Sequence, residues 1–167
     1  QLGAVRNQLF EALALARRAA RGPAGDGALR QTALELARFA LQAPRRGGMV
    51  PHSFRVETAT GTETWSPGDP EGPRAELLCG ADAATTAVLL LELAELLPEL
   101  AAPAHALSTE LARFFVHGQR RDGAIPALYE PRHLAAVPLD EDDLPGTTAA
   151  PAWLLARHAV AVDDAEV

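Results

Sequence analysis

The chain contains an internal repeat, which constrains its fold more than any other feature of the sequence. Segment 36–39, Leu-Ala-Arg-Phe, recurs 75 residues later as segment 111–114. At the same offset and without a gap, the following residues also correspond: Arg45-Arg46 with Arg120-Arg121, Gly48 with Gly123, Val50 with Ile125, Pro51 with Pro126, and Phe54 with Tyr129. Gly80–Ala84 in turn aligns with Gly146–Ala150. Each copy therefore predicts a helix, a glycine-containing loop and a second helix.

Five helices are predicted from apolar residues that recur every three to four positions and from the Gly and Pro residues between them. Their ranges are 5–21, 27–42, 82–97, 103–117 and 147–160. The chain has 35 Ala and 25 Leu residues but only ten Val and Ile residues together, which favours helices over strands. The one predicted exception is the long loop 51–74, where segments 52–58 and 63–65 can pair as a hairpin around Thr60-Gly61-Thr62.

A helical hairpin cannot bury its apolar face alone, so repeated hairpins stack against one another. Two copies, over about 27–97 and 103–161, together with an extra first helix, predict an all-α fold. We expect an arc of an α/α barrel (a toroid), with the apolar third and fifth helices inside and the second and fourth outside. Residues 1–167 would then form a partial catalytic barrel domain whose remainder lies outside this sequence.

Composition excludes several classes of partner. The net charge is −7 and all 15 cationic residues are Arg, which argues against nucleic acid or an anionic membrane as the main partner. The apolar runs are too short to span a bilayer. A single cysteine, Cys79, forms no internal disulfide and is compatible with the cytoplasm. The sequence starts in helical pattern at Gln1, with neither an initiator Met nor a leader segment, so we expect a piece of a longer protein.

Two motifs resemble those of terpene cyclases. Segment 114–125 has an aromatic pair, then Gln119 and Asp122-Gly123, and is similar to the repeat of terpene cyclase and prenyltransferase barrels, although Ile125 stands where that family usually has Trp. Segment 79–87, Cys-Gly-Ala-Asp-Ala-Ala-Thr-Thr-Ala, resembles the Asp-x-Asp-Thr-Thr motif of class II terpene cyclases. The Thr-Thr ending is similar to that of the bacterial drimane-type enzymes, such as the drimenyl diphosphate synthases.

The resemblance implies specific roles at the start of the third helix. Asp82 matches the first Asp of the motif, Thr85 and Thr86 match its ending, and Ala84 occupies the place of the middle Asp, which is the proton donor in that family. The implied activity is a protonation-initiated cyclisation of farnesyl diphosphate to a bicyclic drimane-type diphosphate. The resemblance also implies Mg²⁺, with ligands outside this segment, and a second helical domain that closes the pocket. With Ala84 in that place the chain would be inactive, and we interpret Ala84 as an engineered removal of the acid.

The chemistry explains why such residues would be grouped. Protonation of an alkene needs a carboxylic acid that is kept protonated in a site without water, and a neighbouring carboxylate and hydroxyl can tune its pKa. The positive end of the helix dipole stabilises the conjugate base, and aromatic faces stabilise the carbocation. The candidate pocket residues are Phe54, Trp65, Tyr129 and Trp153.

Other interpretations remain open at this stage. Asp82 is also a suitable helix N-cap. A carbohydrate-active α/α toroid, a glycosidase or lyase, would take its acids from segments 63–71 and 140–143, and a non-catalytic helical-repeat module would line its inner surface with mixed polar residues. The acidic run Asp140–Asp143 could bind Mg²⁺ but is more typical of a solvated loop. The Arg pairs are expected to be structural or solvated, and the five His residues lack metal-ligand spacing.

Overall fold

The computed structural model describes residues 2–22, 26–138 and 149–163. The described part contains five α-helices: α1 Val5–Arg21, α2 Gly27–Leu41, α3 Gly80–Leu96, α4 Ala101–Gly118 and α5 Ala149–Asp163. All five were predicted from the sequence and are confirmed, although α3 and α4 each begin two residues earlier than predicted. A short 3₁₀ helix, Pro98–Leu100, connects α3 to α4. None of the helices in these described ranges is both long and apolar enough to cross a membrane.

Helix α3 is the centre of the packing. It contacts α1, α4 and α5, while α2 packs against α1 and α4 also packs against α5. Its segment 86–91, Thr-Ala-Val-Leu-Leu-Leu, is buried throughout. A helix that is apolar all round is stable only when neighbours cover every side, and these three helices provide that cover.

Helix α3 joins α1 to α5, since it contacts both of them. The loop after α2 approaches α4, because Gly47 and Gly48 lie against Phe114 and Leu111. The described residues do not extend to a closed ring of helices, and the barrel remains a prediction.

The prediction of an all-α fold is only partly right, since the chain also contains two small antiparallel sheets. The first has the order β1-β2-β3, with β1 Leu2–Ala4, β2 Ser53–Val56 and β3 Glu63–Ser66. Strands β2 and β3 are the predicted hairpin, with Phe54 opposite Trp65. The second sheet pairs β4, Leu78–Cys79, with β5, Leu128–Tyr129. Strands β1, β4 and β5 are two or three residues long, which is too short for an alternating pattern to be recognised.

The repeat is visible in three dimensions. Gly48 and Gly123 both have positive φ, +78° and +86°. The ring of Phe39 meets that of Phe54 in a T-shaped contact at 4.8 Å and 65°. At the offset of 75 residues, Phe114 and Tyr129 make the same contact at 5.0 Å and 62°. The sequence match therefore corresponds to a repeated packing unit of an outer-helix aromatic ring and a strand aromatic ring.

Gly48 should be one of the least replaceable residues of the loop after α2. A Cβ at this position would lie 2.8–2.9 Å from backbone and side-chain atoms of Leu111, on top of the positive φ. Gly61 is a matched control because its φ is +70° and its added Cβ would meet nothing within 4 Å. We expect Gly61→Ala to lower the free energy of unfolding by about 1–2 kcal/mol, from the backbone conformation alone. Gly48→Ala should cost roughly 1–3 kcal/mol more, from the overlap with Leu111.

Urea unfolding of both variants, followed by circular dichroism, measures this difference. If the two variants lose the same free energy of unfolding, the loop moves away from α4 without an energetic cost. That result would contradict the close packing of Gly48 against Leu111.

Candidate functional site

Asp82 lies at the start of α3 and is bound by two side chains from distant parts of the sequence. Its Oδ1 atom accepts a hydrogen bond from Nη1 of Arg6 at 2.5 Å. Its Oδ2 atom is 2.6 Å from Nδ1 of His52. The side chains of Asp82 and His52 are largely buried, with 11% and 17% exposure, whereas that of Arg6 is 43% exposed. These three residues, the Asp82 cluster, link α1, the first sheet and α3.

The interpretation of Asp82 as an N-cap is wrong. The N-cap of α3 is Cys79, which is extended and makes no side-chain capping bond. The backbone amide of Gly80 instead donates to the carbonyl of Ala127 at 2.8 Å. The chain segment that carries β5 therefore satisfies one of the free amides at the start of α3. Asp82 is the third residue of the helix, and its carboxylate is available for Arg6 and His52.

The first sheet places His52 and Arg6 beside Asp82. The amide of Val5, at the start of α1, donates to the carbonyl of His52 at 2.9 Å, and the amide of His52 donates to the carbonyl of Pro67 at 2.8 Å. These bonds continue the ladder of β1, β2 and β3, so they fix the first turn of α1 and the residue before β2 at the same end of α3. Arg6 and His52 were not predicted as site residues, since they are 76 and 30 residues from Asp82 and belong to no common motif.

The carboxylate of Asp82 orients the imidazole ring of His52. An ionised carboxylate only accepts hydrogen bonds, so the proton of a neutral His52 lies on Nδ1 and its Nε2 atom is an acceptor. The negative charge of Asp82 is balanced by the guanidinium of Arg6 and by the positive end of the α3 dipole. The arrangement can therefore hold a fixed carboxylate and an oriented imidazole at one end of an apolar helix.

The other residues of the motif lie inside the helix packing. Ala84 has no exposed surface and belongs to the core, and Thr86 is 1% exposed. Thr85 is half-buried, and its hydroxyl donates to the carbonyl of Ala81 at 2.8 Å. The Thr85 hydroxyl thus makes a hydrogen bond within its own helix.

The four candidate aromatic residues lie in three different places. Trp65 stacks on Phe39 at 5.3 Å and tilts against Phe54 at 5.5 Å, next to the first sheet. Tyr129 packs with Phe114 on α4. Trp153, on α5, is 43% exposed. Phe54 and Trp65 therefore form one aromatic surface, to which Tyr129 and Trp153 make no ring contact among the described residues.

Trp153 instead lines a polar groove along α1, α3 and α5. Two ion pairs cross this groove: Arg17 with Glu92 at 2.9 Å, and Arg157 with Glu95 at 2.6 Å. Each carboxylate on α3 is thus paired with a cation from a neighbouring helix.

Burial changes the acidity of two groups near the start of α3. It raises the pKa of the Tyr129 phenol to about 12. Burial also raises the pKa of the Cys79 thiol, and the negative charge of Asp82 adds to this increase. The Tyr129 hydroxyl is enclosed and has no hydrogen-bond partner among the residues that the structure describes.

The described residues do not fit a Mg²⁺ site. Residues 2–22, 26–138 and 149–163 contain no group of three or more His, Cys, Asp or Glu side chains arranged for a metal ion. The acidic run 140–143 lies outside the described residues. Of the Arg pairs, Arg46 has a structural role, because its guanidinium donates to the carbonyls of Pro131 and Arg132.

The Asp82 cluster should be important for stability. Asp82→Asn places an amide opposite two donors, so at least one hydrogen bond to a charged group is lost, and we expect the free energy of unfolding to fall by about 1–3 kcal/mol. Glu95→Gln is the control, since it breaks a surface ion pair and should cost less than about 1 kcal/mol. Urea unfolding at neutral pH compares the two, and equal effects would show that the Asp82 cluster is no stronger than a surface pair.

Tyr129 offers a direct titration because it is the only tyrosine of the chain. Its pKa in the folded state, about 12, is above the usual 10. The protonated phenol therefore stabilises the fold below pH 10, and this contribution is lost as the pH rises from 10 to 12. Near-ultraviolet absorbance of tyrosinate should appear near pH 12 in the folded protein and near pH 10 in urea. Ionisation near pH 10 without urea would contradict the burial of the ring.

The start of α3 is thus the place where a charged network, a buried apolar helix, the half-buried Cys79 and the buried Tyr129 meet. Comparison with known proteins adds no relative, since no family model, curated protein or solved structure matches this chain.

Proposed function

We propose that this chain is part of a class II terpene cyclase of the drimane type, in a form that lacks its proton donor. The complete enzyme would protonate farnesyl diphosphate and cyclise it to a bicyclic diphosphate. The motif at residues 82–86 supports the proposal, since it opens an apolar helix and differs from Asp-x-Asp-Thr-Thr only at Ala84. We expect such an enzyme to work in the cytoplasm.

The observation that carries the proposal is the complete burial of Ala84 close to an ionised carboxylate. A carboxyl group at a position with no exposed surface is desolvated, which raises its pKa. Asp82 lies two residues earlier, and its negative charge would raise the pKa further. An acid at residue 84 would therefore be protonated at neutral pH, which is the state that a general acid needs.

The Asp82 cluster would keep the neighbouring charge in place. Arg6 and His52 contact both carboxylate oxygens of Asp82, so this carboxylate is held in a fixed position near residue 84. Residue 84 is the fifth residue of α3, just beyond the first turn, in which the helix dipole acts most strongly.

The proposal assigns the hydrocarbon and the diphosphate to different regions. The aromatic rings of Phe54 and Trp65, which pack against each other, are candidates for contact with a carbocation. The described residues offer no Mg²⁺ site, so the ligands of a Mg²⁺ ion would lie outside them. Further barrel helices and a second helical domain would supply the remaining walls of the pocket and the contacts to the diphosphate.

Two alternative functions also remain predictions: a carbohydrate-active toroid and a helical-repeat interaction module. A carbohydrate-active toroid is favoured by the polar groove at Trp153, which this aromatic residue lines together with two Arg–Glu pairs. The same mixed lining is typical of a helical-repeat interaction module. Both alternatives give Ala84 only a packing role, which makes residue 84 the best position at which to separate them from the cyclase.

Restoring the acid tests the proposal. We expect the Ala84→Asp variant of the full-length protein to convert farnesyl diphosphate, with Mg²⁺, to a cyclised product that keeps its diphosphate, whereas the unmodified protein forms none. Ala83→Asp is the matched control, because Ala83 is 1% exposed and lies next to Ala84 on the same helix. It should be inactive, and mass spectrometry of the dephosphorylated products distinguishes the three proteins.

Stability measurements make a negative result interpretable. The raised pKa expected for the Ala84→Asp carboxyl predicts that the variant loses stability relative to the unmodified protein as the pH rises above about 4. A folded variant that shows this pH dependence but forms no cyclised diphosphate contradicts the cyclase proposal and gives precedence to the alternatives.

A further inference from the structure

Helix α5 is attached to the rest of the fold by few buried side chains. It packs against α3 and α4, but within residues 149–160 only Pro151 and Leu154 are buried. One side of this helix is exposed and wholly apolar, and consists of Ala152, Trp153, Ala156, Ala159 and Val160. An element with few buried contacts opens at a lower free energy than the whole fold. We therefore expect α5 to separate from the other helices more easily than they unfold.

Two polar contacts add to the attachment of α5. Arg157 pairs with Glu95 of α3 at 2.6 Å, but both side chains are largely in solvent, with 34% and 66% exposure, and such pairs contribute little. The second contact joins Nδ1 of His158 to Oγ of Ser108 on α4 at 3.0 Å. Ser108 has no exposed surface and His158 is half-buried. His158 is thus the polar side chain of α5 that reaches into its interface with α4.

The surroundings of His158 disfavour a positive charge on its imidazole. Burial lowers the pKa of His158 from its usual 6.5, and the charges of His105 and Arg113 on α4 lower it further. On α3, the other helix packed against α5, the carboxylate of Glu95 is engaged by Arg157. An imidazolium at position 158 would therefore lose hydration and lie among like charges.

Protonation also changes the contact with Ser108. A neutral imidazole can accept the hydroxyl proton of Ser108 at Nδ1, whereas an imidazolium donates from both nitrogens. The Ser108 hydroxyl would then need another acceptor inside a closed interface. A detached α5 returns the imidazole to water, so the detached state binds a proton more readily than the docked state. Docking is therefore fully stable above pH 6.5 and loses stability as the pH falls below this value.

We propose that His158 makes the docking of α5 sensitive to acid. Protonation of its imidazole shifts α5 from the docked state to a detached state, while α1, α2, α3 and α4 stay folded. Detachment also brings the side chain of Leu154 out of the core, where it has no exposed surface. This cost keeps the detached state a minor one above pH 6.5, and the cost of an interfacial imidazolium is what offsets it at lower pH.

Hydrogen exchange of the backbone amides of the whole chain tests the proposal. Exchange is measured at about pH 7.5 and about pH 5.5 and is corrected for the intrinsic exchange rates at each pH. The protection of the α5 amides should fall roughly 3-fold or more over this interval. The α1 amides are the internal reference, because α1 packs against α2 and α3, and their protection should fall less.

Two variants assign the effect to one imidazole. His158→Gln keeps a side chain that can form a hydrogen bond with Ser108 but does not titrate, so the pH dependence of α5 protection should disappear. His117→Gln is the matched control, because the exposed His117 imidazole binds the carbonyl of Arg113 within α4 itself. This variant should keep the pH dependence of the unmodified protein.

NMR titration of the imidazoles of the unmodified protein gives a measurement that needs no variant. The His158 imidazole should titrate below pH 6.5 in the folded protein and near pH 6.5 in urea. This measurement decides the matter even where His158→Gln detaches α5 at both pH values.

Four results would overturn the proposal: equal protection of α5 at the two pH values, equal losses in α1 and α5, an undiminished pH dependence in folded His158→Gln, or titration of His158 at or above pH 6.5 in the folded protein. None of these results depends on whether Ala84→Asp restores cyclisation, so this proposal and the cyclase proposal fail independently.

Discussion

The burial of α3 on every side is the constraint on which the rest of the structure depends. The segment from Thr86 to Leu91 is buried throughout, so neighbouring helices are needed on all faces, and α1, α4 and α5 provide this cover. Helices α1, α4 and α5 can be less apolar, since each has a face toward solvent. The arrangement of the other helices around α3 follows from this division, because a helix that is apolar all round needs neighbours on every side.

A buried helix also determines where charge can be placed. Asp82 is the one buried acidic residue among those that the structure describes, and burying an unpaired carboxylate would cost several kcal/mol (about 3–5 when one partner of a buried pair is lost). Arg6 and His52 offset this cost, and both depend on the first sheet for their positions. The small sheet, which looks secondary in an otherwise helical chain, therefore supports the charged end of the central helix.

The sequence predicted local features well and long-range contacts poorly. All five helices could be predicted because each has its own apolar recurrence, and the β2–β3 hairpin could be predicted because Gly61 provides the positive φ of its turn. Strand β1 could not, since Leu2-Gly3-Ala4 has no strand propensity and pairs only because Gly3 lets the Phe54 ring approach it. Arg6 and His52 could not be assigned to Asp82 from the sequence. The three residues come from three separate segments of the chain, and contacts between such segments leave no spacing pattern. The α/α barrel and the cyclase function stay predictions, since both require residues beyond those described.

The two copies of the repeat separate scaffold from candidate function. Where they agree, at Phe39 and Phe114 or at Gly48 and Gly123, the shared feature is a T-shaped ring contact or a positive φ, and both serve packing. Where they differ, the second copy gains a buried hydroxyl at Tyr129 that stabilises nothing within the described residues. A packing unit that works without the hydroxyl in one copy does not need it in the other.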